Sequence, residues 1–269
     1  MILLIILIKG REDMVEQFKK EEEVLKEEIK NTENVVKEGI EKGENFFKKM
    51  FSLMPDYLKT RFLTAIVLMP IAILLIYSPK VIFDSFVVLV AIIMSYEWTT
   101  IMSTKEDDSN FFKICGLAYI LIPLSSLIYI KSTENGSDIV FWLFLILWAT
   151  DIFALIVGRT FGGPKLAPTI SPNKTWSGSF GGLLASMFIG LLSSVIFKES
   201  AVFFIIFAGF ISIAEQCGDL LESKFKRHFG VKDSGNIIPG HGGIMDRIDG
   251  LTFVAPIIAL VVMFSNNIF

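Results

Sequence analysis

Cysteine and histidine are scarce in this chain, with two of each in 269 residues. Cys115 and Cys217 both lie inside apolar runs and have neither disulfide-framework nor metal-site spacing, so they read as small core residues. No G-x4-G-K-S/T stretch occurs, which argues against a Walker-type nucleotide hydrolase. Charge is also missing over long distances. After Arg61 there are runs of 17–22 residues with few or no charged side chains. Hydrophobic residues make up 52% of the sequence, Phe alone accounts for 25 positions, and mean hydropathy is +0.60. A soluble domain of this size cannot hide that much apolar surface, whereas apolar runs of about 20 residues cross a bilayer as helices. The net charge of −3 is segregated by region and says little about partners; no nucleic-acid partner is expected.

Seven spans are expected, at about 61–78, 81–103, 111–130, 138–158, 178–197, 201–221 and 250–268. The second contains Asp84 and Glu97 and the fourth contains Asp151. Twelve Lys and Arg residues flank the spans on one side, against only Lys80, Lys131 and Lys198 on the other. This asymmetry places the N-terminus and the polar loops 159–177 and 222–249 in the cytoplasm. The expected fold is an all-α polytopic membrane helix bundle over residues 58–269, preceded by an amphipathic helical extension over 1–57.

The extension contains an 11-residue repeat: EQFKKEEEVLK, EEIKNTENVVK, EGIEKGENFFK and a weaker KMFSLMPDYLK. Eleven residues span three helical turns, so Phe18, Leu25, Ile29, Val36, Ile40, Phe47 and Phe51 form one stripe. A solvated helix, a partner-binding or self-associating helix and a helix lying on the membrane surface all satisfy this pattern, although more Glu than Lys on the polar face argues against strong attraction to anionic lipid. The opening MILLIILI is too short to span a membrane.

The chemistry is concentrated in EQCGDLLESKFKRHFGVKDSGNIIPGHGGIMDRIDG, residues 215–250. Asp219 and Ser223 are i, i+4 on one helix, Asp246 and Asp249 are i, i+3 on the next, and Glu222 lies between them. Carboxylates brought together at helix ends make a site for a hard cation such as magnesium, completed by water and substrate phosphates. Lys224, Lys226, Arg227, Lys232 and Arg247 surround them, a cluster suited to a triphosphate and a lipid phosphate headgroup. Gly240, Gly242 and Gly243 beside His241 let the backbone approach an anion closely. In the other loop, Lys165 and Lys174 can meet phosphates, Ser171 and Thr175 supply hydroxyls, and Asp151 is an intramembrane carboxylate of the kind that is usually functional. Acids and cations mixed this densely point to metal-assisted phosphoryl or nucleotidyl transfer.

These residues resemble the phosphatidate cytidylyltransferases, or CDP-diacylglycerol synthases, whose signature runs S-x2-K-R-x4-K-D-x-G/S/A and then apolar-P/G-x-H-G-G-x2-D-R-x-D. The chain matches at Ser223, Lys226, Arg227, Lys232, Asp233, Gly235, Pro239, His241, Gly242, Gly243, Asp246, Arg247 and Asp249. Gly218, Asp219 and the pattern from Leu166 to Gly178 are similar to the family as well. Ser177, Leu155 and Gly163 depart from it, standing where Glu or Gln, Tyr and Lys are common. The resemblance covers about 58–269 and leaves out the repeat.

The resemblance implies transfer of a cytidylyl group from CTP to phosphatidate in a bacterial-type inner membrane, giving CDP-diacylglycerol and pyrophosphate. It implies that Asp219 and Asp246 hold magnesium in a two-cation site, with Asp249 as ligand or support. Ser223, Lys226, Arg227, Lys232, Arg247, His241, Gly242 and Gly243 would bind substrate, with Lys165, Ser171, Lys174 and Thr175 from the other loop. A homodimer is a further expectation. The rivals are a relative with another lipid phosphate acceptor and a transporter. The crowding of charge at one face and the lack of repeated halves argue against the transporter. The D-G-x2-A-R pattern of the CDP-alcohol phosphotransferases is missing.

Overall fold

The computed structural model describes residues 56–104, 110–237 and 242–264, the first ten by backbone alone, and scattered helical positions between Lys26 and Gly39. Residues 1–8, His241 and the repeat's apolar stripe apart from Val36 lie outside the described residues. Residues Thr60–Phe269 form one compact unit.

Among the described residues from Asp56 onward seven helices follow one another: α1 (Asp56–Ile76), α2 (Lys80–Ser103), α3 (Asn110–Lys131), α4 (Gly136–Phe161), α5 (Trp176–Phe197), α6 (Ala201–His228) and α7 (Met245–Phe264). Six of them, α2 to α7, are long and apolar enough to cross a membrane. Only Ile66–Ile76 of α1 is described with its side chains, so among the described residues six of the seven expected spans are found. Pro70, Pro123 and Pro256 sit inside helices, as membrane helices tolerate when neighbours make up for the lost backbone bond. Between α4 and α5 lies a short antiparallel hairpin, β1 (Lys165–Ala167) and β2 (Ser171–Thr175), pairing Lys165 with Thr175 and Ala167 with Ser171.

α4 packs on α5, α5 on α6, α6 on α7, α7 on α3 and α3 on α2. The interior is apolar at its centre, with Met94, Ile130, Leu143, Ile146, Phe204 and Ile258 fully buried. It also holds hydroxyls: Ser186, Ser193 and Ser194 are buried and donate to carbonyls of their own helix. The outward faces are apolar too, as at Leu74, Val81, Ile92, Phe188 and Val195. Without water to expel, helices in lipid associate through close backbone packing, which small residues permit. The α4–α5 contact is of this type. Gly178 packs on Gly158, and a Cβ on Gly178 would stand 2.6 Å from the carbonyl oxygen of Ala154. A Cβ on Gly182 would stand 2.8 Å from that of Thr150. Gly178→Val is therefore expected to cost about 1–3 kcal/mol by overpacking and to lower the thermal midpoint in detergent; an unchanged midpoint would refute this contact.

Away from the hairpin, at the opposite end of the bundle, Lys131 donates to the Ile76 carbonyl and to Ser137, and the Tyr77 hydroxyl donates to Asp138 at 2.9 Å. These bonds tie the end of α1 to α3 and α4.

Candidate active site

The polar positions gather at one end of the bundle. There the hairpin, the last turns of α2 and α6 and the first turn of α7 converge, linked by the contacts Lys174–Asp219, Lys226–Asp246 and Glu97–Ile244. Two helices run further than the apolar pattern implies. α6 continues to His228, so Ser223, Lys226 and Arg227 project from a helix, and α7 starts at Met245, which puts Asp246 in its first turn.

Asp246 is the most heavily bonded group of the site. Its Oδ2 accepts from the backbone N–H of Ser234 at 2.8 Å, that of Gly243 at 2.9 Å and the Ser234 hydroxyl at 3.0 Å. Its Oδ1 accepts from Lys226 Nζ. A carboxylate in the first turn of a helix also sits in the favourable end of the helix dipole. Gly242 adopts φ +81°, and a Cβ there would fall 2.5 Å from Asp246 Oδ2, so glycine is required for both conformation and space.

Lys226 bridges two carboxylates. It is 2.9 Å from Glu222 Oε1 one turn earlier on α6 and directs its hydrogen bond at Asp246. The three side chains are 9%, 0% and 6% exposed, so this is a buried triad rather than a surface pair. Glu222 Oε2 accepts from the Tyr119 hydroxyl of α3 at 3.1 Å. Beside it an aromatic group locks α2, α3 and α6 together: Trp98 stacks on Phe225 with centroids 3.9 Å apart and donates Nε1–H to the Phe112 carbonyl at 3.2 Å.

The second centre is more open. Lys174 of β2 donates to Asp219 Oδ2, and Ser223 donates to Asp219 Oδ1 at 3.3 Å, the i, i+4 contact that their spacing implies. Lys174 and Asp219 are 28% and 26% exposed. Asp151 lies within electrostatic reach of Asp219, Lys174 and Arg247; Asp249 lies within reach of Glu222, Asp219 and Asp151 and accepts from the Gly250 N–H at 2.9 Å. Loop and helix residues far apart in sequence thus bring these carboxylates and two lysines within electrostatic reach of one another.

The remaining expected residues sit around these centres. Lys165, Lys232, Arg227 and Arg247 are exposed at the same end. Arg227 Nε donates to the Ile170 carbonyl at 3.3 Å and Nη1 to the Val231 carbonyl at 3.0 Å, which ties α6 to the hairpin. Thr175 is buried and its hydroxyl caps α5 by accepting from Gly178 N–H at 3.1 Å, so its visible task is structural. Ser171 is half-buried on β2, and Ser177, one of the departures from the family pattern, donates to the Gly162 carbonyl.

Three site groups were not anticipated. Ser234 links the loop to Asp246 as described. Glu97, buried to 1% exposure, reaches the same loop from α2. Glu215 is also buried, with Oε2 unpartnered and with Asp151, Asp249 and Lys174 as electrostatic neighbours. For the two glutamates a signal existed: a carboxylate inside an apolar span is costly and therefore marked.

Among the described residues no three His, Cys, Asp or Glu side chains stand close enough to form a metal cage. Asp246 has its oxygens committed to four donors, while Asp219 is partly open to solvent. The donor set therefore suits a hard cation that arrives with substrate oxygens, not one held by protein ligands alone.

The sequence pattern of the cytidylyltransferase family matches residues 59–124 and 109–265. The chain is 40% identical over 206 residues to a phosphatidate cytidylyltransferase of Rickettsia bellii, covering 74% of this chain and 87% of the relative. A phosphatidate cytidylyltransferase of Rickettsia typhi is 36% identical over 217 residues, with 78% and 91% covered. One from Brucella abortus is 35% identical over 249 residues, with 76% and 92% covered. With its acids and lysines at the positions of the family signature and these matches across most of its length, the chain belongs to the phosphatidate cytidylyltransferase family.

Proposed function

We infer that the protein transfers the cytidylyl group of CTP to phosphatidate, leaving CDP-diacylglycerol in the bilayer and releasing pyrophosphate. The observation that carries this reading is the pairing of lysines with carboxylates, Lys226 with Asp246 and Lys174 with Asp219, at one end of an apolar bundle. A phosphate oxygen of phosphatidate attacks the α-phosphorus of CTP. The new P–O bond forms as the bond from the α-phosphorus to the α–β bridging oxygen breaks, and both electrons of that bond leave with pyrophosphate. The nucleophile is already an anion, so no strong base is required. The work lies in holding two polyanions together and stabilising the developing charge.

Lys174 and Lys226 exchange their carboxylate partners for phosphate oxygens, and the exposed Lys165, Lys232, Arg227 and Arg247 receive the outer phosphates. Asp219 and Asp246, with Asp249 in support, would hold magnesium. Bound there, the metal would neutralise phosphate charge in the transition state. The basic residues at this end support a cytoplasmic orientation, and the bacterial sources of the relatives support a bacterial-type inner membrane. The 11-residue repeat supports a homodimer; removing residues 1–50 without changing the oligomeric state would refute it.

The test uses the purified protein in mild detergent with phosphatidate, magnesium and each of the four ribonucleoside triphosphates. Pyrophosphate release is expected only when CTP, phosphatidate and magnesium are all present, and chelating the metal should abolish it. Release with a different lipid phosphate would change the acceptor. Silence with every acceptor, from folded protein, would overturn the reading.

A further inference from the structure

Glu97 lies on α2, 137 residues before Ser234 and 148 before Met245 in the chain. It nevertheless supports the loop that ends in Asp246. Its Oε1 accepts from the N–H of Ile244 at 2.8 Å, and its Oε2 accepts from the N–H of Met245 at 2.8 Å. These are two of the backbone donors that the start of a helix leaves without intrahelical partners. Helices usually satisfy them with a capping side chain a few residues away; here the acceptor comes from another helix. The Ser234 hydroxyl stands 3.0 Å from Glu97 Oε2 and 3.0 Å from Asp246 Oδ2, so one side chain joins the two carboxylates.

The glycines of the loop fit the same arrangement. A Cβ on Gly243 would stand 2.4 Å from Glu97 Oε1 and 2.1 Å from Ser234 Oγ, and one on Gly235 would stand 3.0 Å from Glu97 Oε1. The two loop segments, Ser234–Gly235 and Gly243–Met245, therefore close around the Glu97 carboxylate with no room to spare. Glu97 forms no hydrogen bond or ion pair with Lys226, Asp219 or Lys174, and its oxygens are occupied by loop donors.

We propose that Glu97 is a positioning residue for the transfer reaction: it fixes the start of α7 and the preceding loop, and through Ser234 it sets where Asp246 meets Lys226. The inference rests on the cytidylyltransferase reading only for its kinetic part. Its structural part, that Glu97 holds the Ile244 and Met245 amides, stands without it.

The substitution Glu97→Gln separates this role from simple packing. The side chain keeps its size, but one oxygen becomes an N–H₂ group, and in either orientation that group faces a backbone N–H donor. Hydrogen exchange at the Ile244 and Met245 amides is expected to accelerate in Glu97→Gln, while amides in the centre of α4 and α6 stay protected. A misplacement of the reacting groups of about 1 Å lowers kcat about 10²-fold, so kcat should fall to that extent with KM for CTP changed less than threefold. Ser234→Ala should lower kcat in the same direction, and adding it to Glu97→Gln should produce little further loss. Unchanged exchange at Ile244 and Met245 would overturn the proposal whatever the activity. Accelerated exchange with wild-type kcat would overturn the kinetic part. A wild-type protein that does not turn over CTP would refute the functional reading but leave the exchange test intact. Should Glu97→Gln fail to fold, Ser234→Ala carries the test: wild-type kcat in that variant would overturn the proposal.

Discussion

Replacing Asp246 with Asn is expected to lower CTP-dependent pyrophosphate release about 10³-fold, with the helical content of the protein retained. The wild-type carboxylate faces donors on both oxygens: three at Oδ2, and the Lys226 ammonium at Oδ1. An amide can serve only one side. If its oxygen stays with Ser234 and Gly243, its N–H₂ group faces the ammonium, and Lys226 loses the partner that aims it. In the opposite orientation, two backbone N–H groups meet another donor. Either way the charge that should meet the transferring phosphate is displaced, and loss of a single such stabilising contact commonly costs 10²–10³-fold. Glu222 still neutralises Lys226, which is why the loss should fall on turnover more than on folding. Turnover within threefold of wild type would show that Asp246 is a structural cap and nothing more.

Lys226→Met should damage both stability and activity, and the two effects can be separated. Removing the ammonium leaves Glu222 and Asp246 facing one another in a buried site where their side chains are 0% and 6% exposed. Breaking a buried ion pair by deleting one partner typically costs about 3–5 kcal/mol, because the remaining charge is uncompensated. The thermal midpoint in detergent should drop accordingly. In the double variant Lys226→Met with Glu222→Gln, one of the two stranded charges is removed, so the midpoint should largely recover. Activity should not recover, because no cation remains to meet phosphate. Recovery of both would mean that Lys226 only balances Glu222; recovery of neither would mean that the triad holds the loop through its shape.

What could be read in the sequence, and what could not, divides along physical lines. The helices were legible because a membrane span is a one-dimensional property: apolar length alone places α2 to α5 within a few residues of their ends. The apolar runs stop short of the ends of α6 and α7 because both helices continue as amphipathic turns carrying Lys226, Arg227 and Asp246; the i, i+4 and i, i+3 spacings of Asp219 with Ser223 and of Asp246 with Asp249 place those acids on the helices. The contact between Asp219 and Ser223 was legible from its i, i+4 spacing. The pairings of Lys174 with Asp219 and of Glu97 with Met245 were not, since they join segments 45 and 148 residues apart through helix packing. The hairpin at 165–175 was expected only as part of the polar loop 159–177; five residues of β2 are too few to show an alternating pattern.

The hydroxyl-bearing interior and apolar exterior have a consequence for how substitutions will distribute. In a water-soluble protein, exchanging one apolar residue for another is most disruptive at the centre and charge is cheapest outside. Here the ranking reverses. Val81, Ile92, Phe188 and Val195 face outward, where any aliphatic or aromatic side chain serves a lipid neighbour equally well but a charge is penalised. Gly158, Gly178 and Gly182, where backbones touch, accept almost nothing. Divergence among relatives is therefore expected to collect on the lipid-facing skin as swaps within the apolar alphabet, so that a tally of percentage identity understates how strictly the interior is held.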